Sequence, residues 1–195
     1  MLIRCPWSES HPLLTAYHDE EWGVPKTDDR DQFEHMLLEI FQAGLSWLTM
    51  LKRHDGFKSA FAGFDPVKVA AFSEEDYNRL LNDAGIIRNR AKISAAIHDA
   101  ALFLKVSEEF DGFFNFAKQY APKEPHRFTD QSQLPALTSE AEAMSKELKR
   151  RGFKFLGPTI CYAHLQSVGV VNDHITTCHR FDEIERLRSK YGLSS

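Results

Sequence analysis

Apolar residues recur along most of this chain at three- and four-residue intervals, the spacing that lines one face of a helix. Between Asp31 and Gly44 the set Phe33, Met36, Leu37, Ile40 and Phe41 predicts an amphipathic helix that Gly44 stops. A second helix is predicted from Ser46 through Arg53. Asp65 before Pro66 is an N-cap with proline at the first helical position, and Ser73-Glu74-Glu75-Asp76 resembles a capping box, so two short helices follow. Gly85 interrupts, Arg88 to Leu104 reads as a longer helix, and Phe110 to Tyr120 is aromatic and amphipathic. The polar, proline-bearing stretch Pro122 to Pro135 predicts a surface connection joining two lobes. Ser139-Glu140-Ala141-Glu142 is another capping box, opening a helix to Arg151 that Gly152 stops. Gly157-Pro158 launches an apolar helix through Ile160, Cys161, Leu165 and Val168, closed by Gly169. The charged tail from Phe181 to Ser195 reads as a peripheral helix or a frayed end. Strand-like alternation is scarce and no internal repeat is evident, so the class is all-α.

Composition bounds the rest. With 195 residues, 43% of them hydrophobic, the chain suits one domain over 1–195 with a buried interior of its own. Three cysteines are too few, and odd in number, for a secreted disulfide framework, which points to a reducing cytoplasm. Neither a basic-then-apolar leader nor a run of about 18 apolar residues is present, so no membrane association is expected. A net charge of −4 argues against coating nucleic acid by charge alone. Local basic clusters survive that objection: Arg88, Arg90 and Lys92, and then Lys146, Lys149, Arg150, Arg151 and Lys154, although the second also reads as a solvated helix end complementing its dipole.

Candidate chemistry stands at the two ends. Cys5 and His18 near the start, with His174 and Cys178 near the finish, are the thiolate and imidazole donors that a tetrahedral zinc ion prefers, and four protein ligands would leave no position for a reactive water. The four-residue step from His174 to Cys178 places both on one face of a helical turn. There is no Cys-x-x-Cys knuckle, and the same residues read as a free thiol, a loop histidine and a small buried apolar group. His18-Asp19-Glu20 matches half of a zinc deaminase signature, whose Pro-Cys-x-x-Cys half is missing. From Leu148 to His174 the order is helix, Gly-rich hairpin, apolar helix, then Asn172-Asp173-His174. Glycines 152 and 157, flanking Lys154, would let backbone amides approach a DNA phosphate, with the next helix's positive end adding to the attraction.

That order resembles the helix-hairpin-helix element of DNA glycosylases. The motifs Cys5-Pro6-Trp7, Ala16-Tyr17-His18-Asp19-Glu20-Glu21-Trp22-Gly23-Val24-Pro25, Leu38-Glu39 and Gln42-Ala43-Gly44-Leu45-Ser46-Trp47 narrow it. With Phe64-Asp65-Pro66, Asp83-Ala84-Gly85-Ile86-Ile87-Arg88, Arg151-Gly152-Phe153-Lys154-Phe155 and Asn172-Asp173-His174, they resemble the bacterial 3-methyladenine DNA glycosylase I family over about residues 4–180. The resemblance implies an all-α helix-hairpin-helix glycosylase fold of two lobes with a cleft. The N- and C-terminal segments would form one lobe, stapled by a single structural Zn2+ on Cys5, His18, His174 and Cys178, and the helices of about 30–120 the other.

The resemblance also implies a reaction and its residues. The expected function is hydrolytic removal of 3-methyladenine from alkylated duplex DNA by a monomeric, monofunctional enzyme. Glu39 would bind the edge of the base as the residue central to catalysis, Trp47 would stack on its face, and Tyr17 would complete the pocket with Trp22 nearby. Gly152, Lys154 and Gly157 would contact the DNA, and Gly44-Leu45 is expected to enter the stack as a wedge. By pattern alone Glu39 reads as a solvated glutamate beside Met36 and Ala43, the three aromatics as core residues, and Asp173 as the N-cap of a helix carrying His174. Two departures bear on activity. Leu14 stands where the family often has a pocket tyrosine, which keeps open a lesion-binding module without turnover, or a glycosylase for another small alkylated purine. Asn172 stands where many relatives in the wider superfamily place a catalytic aspartate, and an amide cannot act as a carboxylate base.

Overall fold

A computed structural model describes residues 2–193, which contain ten α-helices and no strand. Helix α1 (Pro12–Glu20) starts with proline in its first turn, and the His11 ring accepts from the Leu13 amide at 3.1 Å. Asp28 caps α2 (Asp29–Gln42), and Ser46 caps α3 (Trp47–Ala60). The short helices α4 (Pro66–Ala70) and α5 (Glu74–Asn82) follow the Asp65 cap and a reciprocal Ser73/Asp76 capping box, as their motifs predict. Next come α6 (Arg90–Phe110), α7 (Phe113–Lys118), α8 (Ser139–Arg150), α9 (Pro158–Ser167) and α10 (Phe181–Ser189). No helix is long and apolar enough to cross a membrane among the described residues.

Several boundaries differ from the sequence reading, each for a visible reason. Helix α3 runs past Arg53 to Ala60 and takes Gly56 into its interior. A Cβ there would stand 2.5 Å from the Gly85 carbonyl oxygen, so the glycine is what lets α3 touch the turn before α6. Helix α6 extends to Phe110, where Asp111 turns left-handed (φ 54°). Thr138, not Ser139, caps α8 by accepting from the Ala141 amide at 3.3 Å. His174 and Cys178 do not share a helix: they lie on a turn before α10, in which the Cys178 amide bonds to Ile175 O at 2.8 Å. Asp173 therefore caps nothing. Its buried carboxylate accepts from Tyr162, Gln166 and His126. The tail forms α10, with Ile184 and Arg188 buried, and residues 194 and 195 fall outside the described range.

Helix α2 lies at the centre, packed against α3, α4, α6, α7 and α9. Being surrounded, it buries Gln32, His35, Leu38 and Glu39 as well as its apolar stripe. Phe33, Phe41, Phe57, Phe61, Phe103, Phe113 and Phe116 fill the core around it. A smaller cluster of Cys5, Tyr17, Trp22, Ile175 and Cys178 joins the beginning of the chain to its end, and the His179 amide bonds to Ile3 O at 2.9 Å beside it. Gly169 allows this junction: its φ is +74°, and a Cβ would lie 2.4 Å from the Pro25 nitrogen.

Candidate active site

Where the small aromatic cluster meets the central helix there is a cavity of about 200 Å³, lined by Trp7, Tyr17, Trp22, Glu39, Gln42, Trp47, Ala163 and Gln166. It is smaller than the roughly 300–1,000 Å³ typical of sites for drug-sized molecules, a scale that suits one flat heterocycle. All four residues expected to form the base pocket, Tyr17, Trp22, Glu39 and Trp47, converge here. Tyr17 approaches Trp47 at 5.1 Å between ring centroids, tilted by 49°, and Trp7 meets Trp22 edge-on at 5.1 Å.

Glu39 is only 5% exposed, and among the described residues its carboxyl has no hydrogen-bond partner. Burial pushes its pKa up to about 8, because the charged form is penalised by desolvation and no cation stands beside it to offset that. Burial, and secondly the proximity of Glu39, holds the Tyr17 phenol well above its usual range, so that hydroxyl stays protonated. The Trp47 indole nitrogen is buried without a partner among the described residues. An unpartnered carboxyl in an aromatic cavity is costly to the fold, and perturbed groups of this kind gather at functional sites.

Four lining residues had no site role in the sequence reading, although Trp7 and Gln42 stand within its motifs. Gln42 stands three residues after Glu39 on α2, a spacing that could have flagged it. Trp7 follows Cys5 by two residues and packs edge-on to His18 at 5.5 Å, so its place depends on the junction of the termini. Ala163 and Gln166 come from α9, over a hundred positions away in sequence, and nothing local announces them. Leu14 is buried on α1 and is not among the lining residues. Asn172 is also elsewhere: its amide nitrogen donates to Phe181 O and Glu185 Oε1, and its oxygen accepts from the His174 amide.

The four candidate ligands come together at the junction of the termini, all buried, with donor atoms within 4.8 Å of one another. His18 Nε2 lies 3.1 Å from His174 Nδ1 and 3.4 Å from Cys178 Sγ, and His174 Nδ1 lies 3.6 and 3.5 Å from the Cys5 and Cys178 sulfurs. With Zn–N near 2.0–2.1 Å and Zn–S near 2.3 Å, a tetrahedron has edges of roughly 3.3–3.8 Å, so the set fits that ion. The outer imidazole nitrogens are also engaged: His18 Nδ1 meets Asp19 Oδ1 at 2.8 Å, and His174 Nε2 meets Trp22 O at 3.1 Å. Asp19 is partly buried, yet hydrogen bonds from Arg4, His18 and His179 hold its pKa below the usual carboxylate range.

The expected DNA contacts occupy two other places. Gly44 (φ +84°) has open space where a Cβ would stand, and Leu45 beside it is 38% exposed. Lys92, buried at the start of α6, donates to Phe41 O at 3.0 Å and Ala43 O at 2.7 Å and so holds this turn. In the hairpin between α8 and α9 the Gly152, Phe153 and Lys154 amides are spent internally, on Lys149 O, Leu148 O and the Asp99 carboxylate. Lys154 can therefore offer its exposed ammonium but not its amide, and the loop's donors are those of Phe155 through Gly157. Gly157 precedes α9 with no side-chain cap.

Fold and cavity together describe an all-helical protein whose small aromatic cavity carries one buried acid. Comparison with known proteins names the class. The methyladenine glycosylase family model matches residues 7–181, and the chain belongs to that family, whose enzymes hydrolyse N-glycosyl bonds. It is 49% identical to the DNA-3-methyladenine glycosylase 1 of Escherichia coli (strain K12) over 177 residues, covering 90% of this chain and 95% of that protein. Against the DNA-3-methyladenine glycosylase of Haemophilus influenzae it is 39% identical over 180 residues, covering 91% and 97%. A solved 3-methyladenine DNA glycosylase I in complex with 3-methyladenine superposes with a TM-score of 0.86 at 32% identity, covering 91% of this chain and 97% of the other.

Proposed function

We propose that this enzyme removes 3-methyladenine from alkylated duplex DNA, hydrolysing the N-glycosidic bond and leaving an abasic site. The observation that carries the reading is the buried, partnerless carboxyl of Glu39 in a cavity walled by indoles and a phenol. The names of its relatives, one of them solved with 3-methyladenine bound, support it.

Adenine methylated at N3 is cationic while attached to the sugar and leaves as a neutral base, so the bond is already weak and little acid catalysis is needed. The enzyme must extrude the nucleotide, prefer the cation and admit water. Trp47 and Tyr17 supply π faces, Trp7 and Trp22 close the cavity, and Glu39 binds the base edge. The positive ring favours the ionised carboxylate and draws a proton off Glu39. Neutral adenine offers no charge to offset the cost of ionising that buried group. Water then adds to the anomeric carbon, its proton passing to solvent, and the bond electrons leave with the base. Among the described residues no lysine lines the cavity, so a Schiff-base lyase step is not expected and the enzyme is monofunctional.

In the same reading Gly44-Leu45 fills the gap left by extrusion, and the Gly152–Gly157 hairpin with the α9 N-terminus takes a backbone phosphate in helix-hairpin-helix fashion. Cys5, His18, His174 and Cys178 hold one structural Zn2+, which when bound supplies a cross-link between the termini and no reactive position. The stapled ends form one lobe and the helices of about 30–120 the other. The enzyme acts as a cytoplasmic monomer. To test the activity, methylated duplex DNA is incubated with wild type and with Glu39→Gln and the freed base is identified chromatographically. Release of 3-methyladenine by wild type and its loss in Glu39→Gln is expected, and no release by wild type refutes the proposal.

A further inference from the structure

We propose that Gln166 is a second base-reading residue, and that Asp173 decides which end of its amide faces the cavity. The inference deepens the base-excision reading above and rests on it. Gln166, on α9, lines the cavity together with Glu39. Its Nε2 donates to Asp173 Oδ2 at 2.6 Å, and the Asp173 side chain is fully buried. The same carboxylate accepts from the Tyr162 hydroxyl at 2.5 Å and from His126 Nδ1 at 2.6 Å.

A glutamine amide can ordinarily point either way, and the hydrogen-bond network decides. Here the partner is a carboxylate, which only accepts. Turning the amide over would press two oxygens together in a buried site. The neighbouring donor is fixed as well, because burial and then the Asp173 charge raise the Tyr162 pKa and keep its hydroxyl protonated. The Gln166 side chain also lies within hydrogen-bonding reach of the Tyr162 hydroxyl, and with its nitrogen turned to this pair the group left for the cavity is Oε1.

The cavity then presents acceptors at Glu39, Gln42 and Gln166, with the Tyr17 hydroxyl and the Trp47 indole N–H as donors and, among the described lining residues, no Lys or Arg side chain. Such a site fits a cationic purine that carries an exocyclic amino donor. A 6-oxopurine of the same size puts a carbonyl oxygen against an acceptor and is disfavoured, since an unpaired buried acceptor costs more than a missing contact. Gln166 thus separates N3-methylated adenine from N3-methylated guanine, which stacking and charge alone do not.

The test measures Kd for free 3-methyladenine and 3-methylguanine by quenching of indole fluorescence, and release of both bases from methylated DNA. Wild type is compared with Gln166→Met and Gln166→Leu, with zinc content and melting temperature as controls for folding. Losing one such hydrogen bond is expected to weaken 3-methyladenine about tenfold while 3-methylguanine changes little, so the preference narrows by about that factor. Asp173→Asn, whose amide can face Gln166 either way, is expected to narrow it about threefold with zinc retained. An unchanged preference in both folded Gln166 variants overturns the assignment of Gln166. An unchanged preference in zinc-loaded Asp173→Asn overturns the role of Asp173. Wild type that neither binds nor releases 3-methyladenine overturns the base-excision reading itself.

Discussion

Replacing Glu39 with glutamine should make the pH dependence of stability shallower. In the folded enzyme burial lifts the Glu39 pKa to about 8, whereas an unfolded glutamate titrates near 4.3. The folded state therefore holds this proton more tightly, so the group's contribution is fully present below about pH 4 and is lost as pH rises through about 8. Between pH 5 and pH 8 that loss is roughly 3–4 kcal/mol at about 1.36 kcal/mol per pKa unit. Glutamine has no proton to lose there, and the cost of burying its amide is the same at every pH, so it cancels from the difference. Urea unfolding of both proteins at unit steps of pH should show wild type falling relative to Glu39→Gln by about that amount. In melting temperature the gap is about 6–12 °C for a domain of this size. Parallel stability curves would refute the argument, because they would mean that the carboxyl is solvated or partnered in the folded chain. The same substitution should abolish base release, a group costly to the fold being the one on which function depends.

Cys178→Ser should bind less than one zinc per chain by metal analysis and melt below wild type, while a chelator should lower the wild-type melting temperature far more than the variant's. Leu45→Gly should keep duplex affinity within about twofold yet release base at least about tenfold more slowly, as expected for a wedge that acts after docking. Unchanged excision would exclude the wedge. Gly56→Ala should lose about 1–3 kcal/mol in urea unfolding, because its methyl group must push α3 away from the Gly85 carbonyl.

Local signals announced most of the helices. Ser73/Asp76, Asp65-Pro66 and Gly157-Pro158 each start a helix where they stand, because capping is settled within four residues of chain. The same locality explains the misses. Whether α3 could pass through Gly56 depended on a turn thirty positions later, and whether His174 to Cys178 formed a helical turn depended on what both had to reach. The motif resemblance marked Tyr17, Trp22, Glu39 and Trp47 as a set, and the structure brings all four into one cavity.

What the sequence determined by itself, then, was the all-helical class, most helix starts and the residue types available for binding a base and a metal. Only the tertiary structure decided the state of Glu39. On an isolated amphipathic helix that position faces solvent, but α2 is enclosed by five other helices, and enclosure turns an ordinary glutamate into a partnerless buried acid. It also decided that Trp7 and Gln166, from opposite ends of the chain, would line the same cavity. Helical periodicity reports one face of one helix, whereas burial and charge are set by every element packed around it.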